Sequence, residues 1–210
     1  MMKSIIITIG REYGSGGKYI GELVSKKLNI PFYDKNLITK TYEKNNCDYS
    51  KLEEYDEVSN TGILKSLEIF NINNYKDSGI YSSEVYQNLV SDTIRDISEH
   101  GSCVILGRNS NNILKDRDNV INIFIYSNDL DFKVKRKMKL ENLSYDKALS
   151  RLKYVDKQRR KYYEAMNKNG TWGNMRDYDY LIDSSILGVD ETASMIVDIY
   201  NKYKEKISNN

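Results

Sequence analysis

A short apolar run at residues 5–9 leads directly into a glycine-rich turn, a lysine and then a helical pattern. The turn contains Gly14, Gly16 and Gly17, and glycine adopts backbone conformations that a Cβ atom disfavours, so several N–H groups can point at one anion. Lys18 adds a positive charge, and the helix that follows presents its first, unpaired N–H groups to the same place. A strand, such a turn and a helix in this order predict a phosphate-binding loop in an α/β fold.

The usual P-loop pattern is G-x-x-x-x-G-K-[ST], and this chain departs from it. With Gly17 and Lys18 in register, Glu12 stands at the first glycine and Tyr19 at the hydroxyl position, followed by Ile20. Two interpretations remain, a loop that binds nucleotide phosphates and a turn that only packs a helix against a strand. On the first, the donor-binding residues are Gly14, Ser15, Gly16, Gly17, Lys18 and Tyr19.

Length and charge limit the classes of function. A chain of 210 residues predicts a single domain, 1–210, with small insertions. Its 32 basic and 30 acidic residues give a net charge of +2, which provides no general attraction for nucleic acid or an anionic membrane. No apolar run is long enough to span a bilayer and no signal-peptide core follows the first residues, so we expect a cytoplasmic protein.

The cysteines and the histidine predict no chemistry of their own. Cys47 and Cys103 are too few for a disulfide framework or a metal site, and Cys103 lies in an apolar run. His100 precedes Gly101 at the expected end of a helix, where a cation suits the carbonyl end of the dipole. The absence of other histidines argues against histidine-dependent acyl transfer.

Short apolar runs alternate with helical patterns along the chain. The runs predict five strands, at residues 5–9, 31–33, 103–106, 120–126 and 180–182. The helical patterns lie at residues 17–28, 83–99, 111–116, 130–140, 144–166 and 190–203. This alternation predicts an α/β fold with a doubly wound parallel sheet. Insertions at about 35–81 and about 139–178 are expected to serve as substrate clamp and lid, or else only to thicken the domain.

Asp34 and Arg108 each follow a predicted strand, where open parallel sheets place functional groups. The carboxylate of Asp34 can bind hydrated Mg²⁺ or accept the proton of an alcohol acceptor, and it can also cap the next helix. The guanidinium of Arg108 can hold a phosphate through two donors. The alternative for Arg108 is a surface ion pair with Asp116 or Asp118.

Residues 156–163 concentrate cations within the second insertion. Arg159 and Arg160 cannot share a helical face, so one is expected to reach the transferring phosphoryl group and the other the acceptor. Asp156 can also pair with one of them at helical spacing. A solvated basic face is the alternative. Trp172 is expected to anchor its loop against the core or to stack on a base.

A second basic run, residues 133–139, together with eighteen tyrosines, raises the possibility of nucleic-acid binding. Leu130, Val134 and Met138 instead indicate one apolar helical face with lysines on the other, the usual pattern of a surface helix. Arg136 is retained from this run as a substrate-binding residue because it lies near the start of the expected lid.

These residues together resemble the cytidylate kinase-like family of P-loop kinases. The resemblance extends almost from end to end of the chain, through Ile9–Lys18, Pro31–Lys35, Val104–Arg108, Phe124–Tyr126, Asp156, Arg159–Arg160, Tyr162–Tyr163, Trp172–Gly173 and Tyr178–Ile182. It implies a three-layer P-loop fold with a five-stranded parallel sheet, a monophosphate-binding insertion at 35–81 and an arginine-bearing lid at 139–178. After the second strand, Asp34-Lys35-Asn36 replaces the Asp-Thr-Gly of true cytidylate kinases.

The resemblance implies a kinase that uses ATP and Mg²⁺ and phosphorylates a small acceptor, with CMP or dCMP favoured. Its expected catalytic residues are Lys18, Asp34, Arg108, Arg159 and Arg160. The expected acceptor-binding residues are Asp34, Arg108, Arg136, Asp156 and Tyr163, and the metal ligands are Ser15 and Asp34. We expect a monomer or homodimer without nucleic-acid or membrane partners. The alternatives are a nucleotide-binding regulatory protein without turnover and a kinase for a non-nucleotide small molecule.

Overall fold

The apolar runs of the sequence form one parallel sheet. The computed structural model describes residues 4–34, 83–167 and 170–208. Its strands are β1 (Ile6–Arg11), β2 (Phe32–Tyr33), β3 (Cys103–Leu106), β4 (Val120–Tyr126) and β5 (Tyr180–Asp183). They lie in the order β2-β3-β1-β4-β5, and every pairing is parallel. The prediction of a five-stranded parallel α/β sheet is confirmed.

Helices follow the strands and cover both faces of the sheet. They are α1 (Gly17–Leu28), α2 (Ser83–Glu99), α3 (Ser110–Ile113), α4 (Leu130–Glu141), α5 (Tyr145–Met166) and α6 (Ser184–Ser208), with a 3₁₀ turn at Met175–Asp177. The last helix was expected from residue 190. It is preceded by a helical segment from Ser184, and the two meet at a break where Gly188 has φ 77° and ψ 172°.

The side chains of β1 alternate between two apolar clusters, as the pleat of a strand requires. Ile5, Ile7 and Ile9 pack with Val24 of α1 and Ile196 of α6 on one face. On the other face, Ile6 packs with Val90 and Ile94 of α2 and with Cys103 and Ile105 of β3. Burial raises the pKa of the Cys103 thiol to about 12, which fits the expected inert core residue.

A third apolar cluster joins the second insertion to the glycine-rich loop. Tyr13 of the loop packs with Val134 of α4 and with Ala148, Leu152 and Val155 of α5. Both helices therefore dock on the end of β1, and the start of α5 is fixed to the loop by buried side chains.

The remaining sequence expectations concern residues away from this core. The expected clamp at about 35–81 and Cys47 lie outside the described residues. None of the described helices has the length and apolar character needed to cross a bilayer. His100 caps its helix as expected, with Nδ1 2.7 Å from the carbonyl oxygen of Asp96 in the last turn of α2.

Candidate functional site

The turn between β1 and α1 has the backbone geometry of an anion-binding loop. Gly14 and Gly16 both have φ 86°, in the left-handed region that favours glycine, and Gly16 is the N-cap of α1. The first helical hydrogen bond runs from the N–H of Ile20 to the carbonyl of Gly16, at 2.9 Å. The amides of residues 17–19 precede that bond and project from the start of the helix, where they can donate to an anion.

The loop glycines are also required by close packing. A Cβ atom on Gly14 would lie 2.9 Å from Cβ of Lys133 in α4, and one on Gly16 would lie 2.5 Å from Cγ1 of Val189 in α6. At Gly17 it would lie 2.5 Å from Cβ of Arg11. The loop is therefore held between α4, α6 and the end of β1.

Ser15 stabilises the loop from inside. Its side chain is fully buried, and its hydroxyl donates to the carbonyl of Glu12 at 2.9 Å. The carbonyl of Ser15 in turn accepts from the Ser184 hydroxyl at 2.6 Å. The Ser15 hydroxyl is thus turned into the protein, where its hydrogen bond closes the turn, and its role as a metal ligand stays a prediction.

Lys18 and Asp34 meet at the mouth of the loop, as the strand-end argument predicts. Lys18 Nζ lies 2.8 Å from Asp34 Oδ2, and the lysine side chain is 58% exposed while the aspartate is only 12% exposed. The hydrogen bond that Lys18 donates to Asp34 raises the pKa of Lys18. A cation and a carboxylate therefore stand together at the start of α1.

Asp34 and Ser15 were both expected to bind Mg²⁺, and of the two Asp34 is the one that offers a carboxylate at the mouth of the loop. Mg²⁺ is commonly held by one or two carboxylates together with substrate phosphates and water, so a single strand-end carboxylate is sufficient. Within residues 4–34, 83–167 and 170–208 there is no group of three or more metal-ligating side chains. Among the described residues, Asp34 is thus one carboxylate that would contribute to a magnesium bound with nucleotide phosphates and water at this loop.

Tyr19 and Arg136 lie on the α6 side of the loop. The Tyr19 hydroxyl donates to Asp190 at 3.4 Å, and the Arg136 guanidinium carbon lies 5.6 Å from the centre of the Tyr19 ring. Burial lowers the pKa of Arg136, while Tyr19 and Asp190 oppose that shift. Tyr19 is thus engaged with α6, and Arg136 approaches the loop at Gly16, 3.5 Å from where a Cβ atom would stand.

Arg11, the last residue of β1, is a site residue that the sequence analysis missed. A Cβ atom on Gly107 would lie only 2.0 Å from Arg11 Nη1, so this guanidinium crosses from β1 to the end of β3. Burial, followed by repulsion from Arg159 and Arg108, lowers the pKa of Arg11. The strand-end rule that selected Asp34 and Arg108 applies equally to Arg11 and could have found it.

The turn after β3 brings Arg108 to the same edge. Gly107, Arg108 and Asn109 have φ values of 71°, 58° and 57°. Two successive residues other than glycine in the left-handed region are strained, and such strain is concentrated at functional sites. Among the described residues, no ion pair joins Arg108 to Asp116 or Asp118, so the surface-pair alternative is wrong in this structure.

Asp156 and Arg159 connect α5 to the end of β1. The N–H of Tyr13 donates to Asp156 Oδ1 at 2.7 Å, and Arg159 Nη1 donates to the carbonyl of Arg11 at 3.1 Å. Arg159 also lies 3.6 Å from Asp156, which confirms the predicted pairing at helical spacing. Arg160 is exposed and lies on a different face of α5.

Asp156→Asn is expected to remove a pH-dependent loss of stability. Burial raises the pKa of Asp156 from 3.8 to about 6, against the opposing effect of Arg159. Below pH 3.8 the carboxyl is protonated in the folded and unfolded chains alike, and above it the unfolded chain ionises first. Between pH 3.8 and 6 the wild type should lose about 3 kcal/mol relative to the variant.

Urea unfolding at pH 4 and pH 7 measures this difference. Asp146→Asn, which removes an exposed carboxylate from the first turn of α5, is the matched control. If the wild type and Asp156→Asn change in parallel between the two pH values, the buried carboxylate does not ionise as described.

Two lysines of the second basic run form ion pairs that support the loop. Lys133 Nζ lies 2.8 Å from Glu12 Oε2, which also accepts from the N–H of Ser127 at 3.2 Å. Lys137 Nζ lies 2.8 Å from Glu141 Oε1 and 3.9 Å from the centre of the Tyr13 ring. The expectation that lysines occupy the outer face of α4 is wrong for these two, because partly buried carboxylates compensate their charge.

Tyr163 lies at the far end of α5, inside a buried polar network. Its hydroxyl accepts from Asn111 at 3.2 Å and donates to Asp177 at 3.1 Å. The neighbouring Asn167 pairs with Asn109 at 2.8 Å. These contacts fix the end of α5 against α3 and give Tyr163 a packing role in this structure, while its expected contact with the acceptor stays a prediction.

Trp172 anchors its loop against the sheet, as predicted. Its ring meets Phe124 of β4 edge to face, with centroids 5.3 Å apart. Tyr178 packs on the same phenylalanine at 5.0 Å. The second insertion is thereby attached to the core at its end as well as at its beginning.

Comparisons with known proteins agree with this architecture. The family model of the cytidylate kinase-like family matches residues 6–186. No curated protein sequence matches the chain. The crystal structure of an uncharacterized protein from Eubacterium ventriosum is 30% identical, with a TM-score of 0.67, and the match covers 94% of this chain and 98% of that one.

More distant solved structures share the fold. A shikimate kinase from Bacteroides thetaiotaomicron is 14% identical with a TM-score of 0.51, and the match covers 94% of this chain and 98% of that chain. A gluconokinase from Sinorhizobium meliloti is 9% identical with a TM-score of 0.52, with 99% and 98% covered. The fold is therefore that of P-loop kinases.

Proposed function

The chain belongs to the cytidylate kinase-like family, and we propose that it is a Mg²⁺-dependent phosphotransferase that moves the γ-phosphoryl group of ATP to a small acceptor. One observation carries the proposal: the glycine loop and Lys18 face Asp34 and the arginines at the carboxyl end of the sheet. This arrangement supplies cations around a transferring phosphoryl group and a carboxylate for the metal or the acceptor.

The donor phosphates would bind at the start of α1. The amides of residues 17–19 and the positive end of the helix dipole favour an anion there, and Lys18 adds a full charge. Because Lys18 is mostly exposed, its ammonium can reach a phosphate while Asp34 remains close. Tyr19 and Arg136 flank the loop on the side of α6, where the nucleoside part of the donor would lie.

In the transfer, a bond forms between an acceptor oxygen and the γ-phosphorus while the bond from that phosphorus to the β–γ bridging oxygen breaks. ADP leaves with the electron pair of the broken bond. Arg108 and Arg159 would neutralise the charge of the transferring group, with the exposed Arg160 on the adjacent face of α5 as a further cation. Bound Mg²⁺ would neutralise charge on the donor phosphates, and Asp34 is the residue that would hold it.

The chemistry of the acceptor determines what Asp34 must do. If a phosphate oxygen attacks, no strong base is needed, whereas an alcohol loses a proton that the Asp34 carboxylate can accept. We infer a nucleoside monophosphate, CMP or dCMP, as the first candidate. Because the chain shares its fold with a shikimate kinase and a gluconokinase, a non-nucleotide small molecule is the second candidate for the acceptor.

Coupled ADP release across a panel of acceptors tests the proposal. With ATP and Mg²⁺, we expect ADP and a phosphorylated product with at least one nucleoside monophosphate, and none with the corresponding nucleosides. Turnover with non-nucleotide alcohols alone would remove the cytidylate assignment and retain the phosphotransferase. Absence of product with every acceptor would overturn both.

A nucleotide-binding protein without turnover is the second candidate, and Tyr19 favours it. This residue occupies the position of the P-loop hydroxyl, and its own hydroxyl bonds to Asp190. Such a protein would show a higher melting temperature with ATP but no phosphorylated product. In either case we propose a cytoplasmic monomer or homodimer that acts without nucleic acid or membrane, consistent with a net charge of +2.

A further inference from the structure

Tyr13 is a large aromatic residue directly before the run of small residues Gly14–Gly17. Its side chain is only 3% exposed, because its ring lies in the third apolar cluster with side chains of α4 and α5. The loop amides and Lys18 account for the proposed binding of the donor phosphates, and neither needs an aromatic side chain at this position. The ring therefore has a role that phosphate binding does not explain.

The Tyr13 hydroxyl connects the loop to both helices. It donates to Glu141 Oε1, in the last turn of α4, at 2.5 Å. Burial raises the pKa of this hydroxyl above its usual value, so the group stays protonated and keeps donating. The same carboxylate lies 2.8 Å from Lys137 Nζ and 3.1 Å from Arg151 Nε of α5. The hydroxyl thus joins a network of charges that ties α4 to α5.

Arg159 of α5 is held by the same part of the loop. Its guanidinium carbon lies 5.6 Å from the centre of the Tyr13 ring, within reach of a cation–π contact. Its Nη1 donates to the carbonyl of Arg11, at 3.1 Å. Its ion-pair partner Asp156 accepts from the N–H of Tyr13. The ring and backbone of Tyr13 therefore act on Arg159 both directly and through Asp156.

We propose that Tyr13 is a positioning residue whose ring holds Arg159 beside the glycine-rich loop, where it faces the transferring phosphoryl group. The inference rests on the proposed phosphotransferase and adds the residue that aligns the arginine of α5. A long, flexible arginine side chain stabilises developing charge better when its position is fixed in advance. Because Tyr13 belongs to the loop, Arg159 is aligned relative to the residues that would bind the donor.

Tyr13→Leu keeps an apolar side chain but removes the ring and the hydroxyl, and it tests this alignment by steady-state kinetics. We expect kcat to fall roughly tenfold or more, and the KM for ATP to change by less than about threefold because Lys18 and the loop amides remain. Tyr13→Phe retains the ring against Arg159 and should keep kcat within about threefold of the wild type. Tyr145→Phe is the matched control, since it removes an exposed tyrosine hydroxyl that bonds α5 to Asp131 of α4.

Coupling to Arg159 separates positioning from a general loss of stability. In the Arg159→Met background, Tyr13→Leu should lower kcat by less than about twofold, because the side chain that it aligns is already absent. A tyrosine that only stabilises the fold would cost the same factor in both backgrounds. Equal factors would overturn the proposal, as would full kcat in Tyr13→Leu or a Tyr13→Phe variant as impaired as Tyr13→Leu.

Hydrogen exchange tests the contact without nucleotide or acceptor. In Tyr13→Leu, we expect the amides of residues 152–159 to exchange roughly tenfold faster or more, while those of α2, which packs in another apolar cluster, keep their rates. Unchanged exchange in α5, or equally faster exchange in α2, would overturn the proposal. If no acceptor is phosphorylated, the phosphotransferase fails, and these exchange rates still decide whether Tyr13 holds α5 at Arg159.

A second variant covers the case in which Tyr13→Leu does not fold. Tyr13→Met fills more of the volume of the ring without offering an aromatic face to Arg159. We expect the same loss of kcat, the same coupling to Arg159→Met and the same faster exchange in α5. Wild-type values of kcat and exchange in Tyr13→Met would overturn the proposal.

Discussion

Lys18→Ala is expected to lower kcat by roughly 10² to 10³, the size of effect produced when one preorganised donor to developing charge is removed. Lys18 is the loop cation nearest the first N–H groups of α1, and its ammonium lies 2.8 Å from Asp34. Without it, the donor phosphates would keep the backbone amides but lose the full charge. Coupled ADP release measures kcat, and calorimetry with ATP measures the accompanying loss of affinity.

The fold should survive this substitution because the Lys18 side chain is mostly exposed. Lys26→Ala removes an exposed lysine from the last turn of the same helix and is the matched control. If Lys18→Ala keeps wild-type turnover and ATP affinity, the donor does not bind at this loop. If ATP binds to the wild type and not to the variant, while neither forms product, the nucleotide-binding protein without turnover is favoured.

The parts of the site that were predictable follow from local rules. The run at residues 5–9 and the turn with Gly14 and Gly16 can be recognised without tertiary information, because strand burial and left-handed glycines leave local patterns. Asp34 and Arg108 follow strands of a parallel sheet, whose ends meet at one edge. Chain topology alone therefore brings these two residues near the loop.

Contacts between distant segments could not be predicted in this way. The pairing of Glu12 with Lys133 joins residues 121 positions apart. In the sequence, Lys133 and Lys137 look like any lysines of a surface helix, and helical periodicity gives the face of a residue but not its ion partner. Tyr163 likewise matched the family pattern, whereas its buried bonds to Asn111 and Asp177 depend on how α5 ends against α3.

Ser15 shows that the identity of a residue does not fix the direction of its side chain. A hydroxyl in a glycine-rich loop suggests a metal ligand, but its direction depends on the backbone on either side. With Gly14 and Gly16 both in the left-handed region, the Ser15 side chain turns inward and bonds to Glu12. The identity of the residue was informative about the loop, and its orientation was decided by dihedral angles that the sequence does not specify.

Arg159→Met is expected to lower kcat/KM by about 10² or more, because this arginine is the one in α5 that faces the end of β1. Arg160→Met, one residue along the helix, should have a clearly smaller effect, since Arg160 is exposed on another face. Lys157→Met, at an exposed position of the same helix, is the control expected to retain activity. Steady-state kinetics with the preferred acceptor measure how much kcat/KM each of the three variants loses.

Loss of activity in Arg159→Met has two explanations that a double variant separates. Arg159 lowers the pKa of Asp156, so its removal leaves a buried carboxylate with less compensation, and the variant should be less stable above pH 6. Adding Asp156→Asn removes that charge and should restore the melting temperature. If Arg159 acts on the transferring group, kcat/KM stays low in the stable double variant. If activity returns with stability, or if Arg160→Met is the more severe substitution, Arg159 only fastens α5 to the loop.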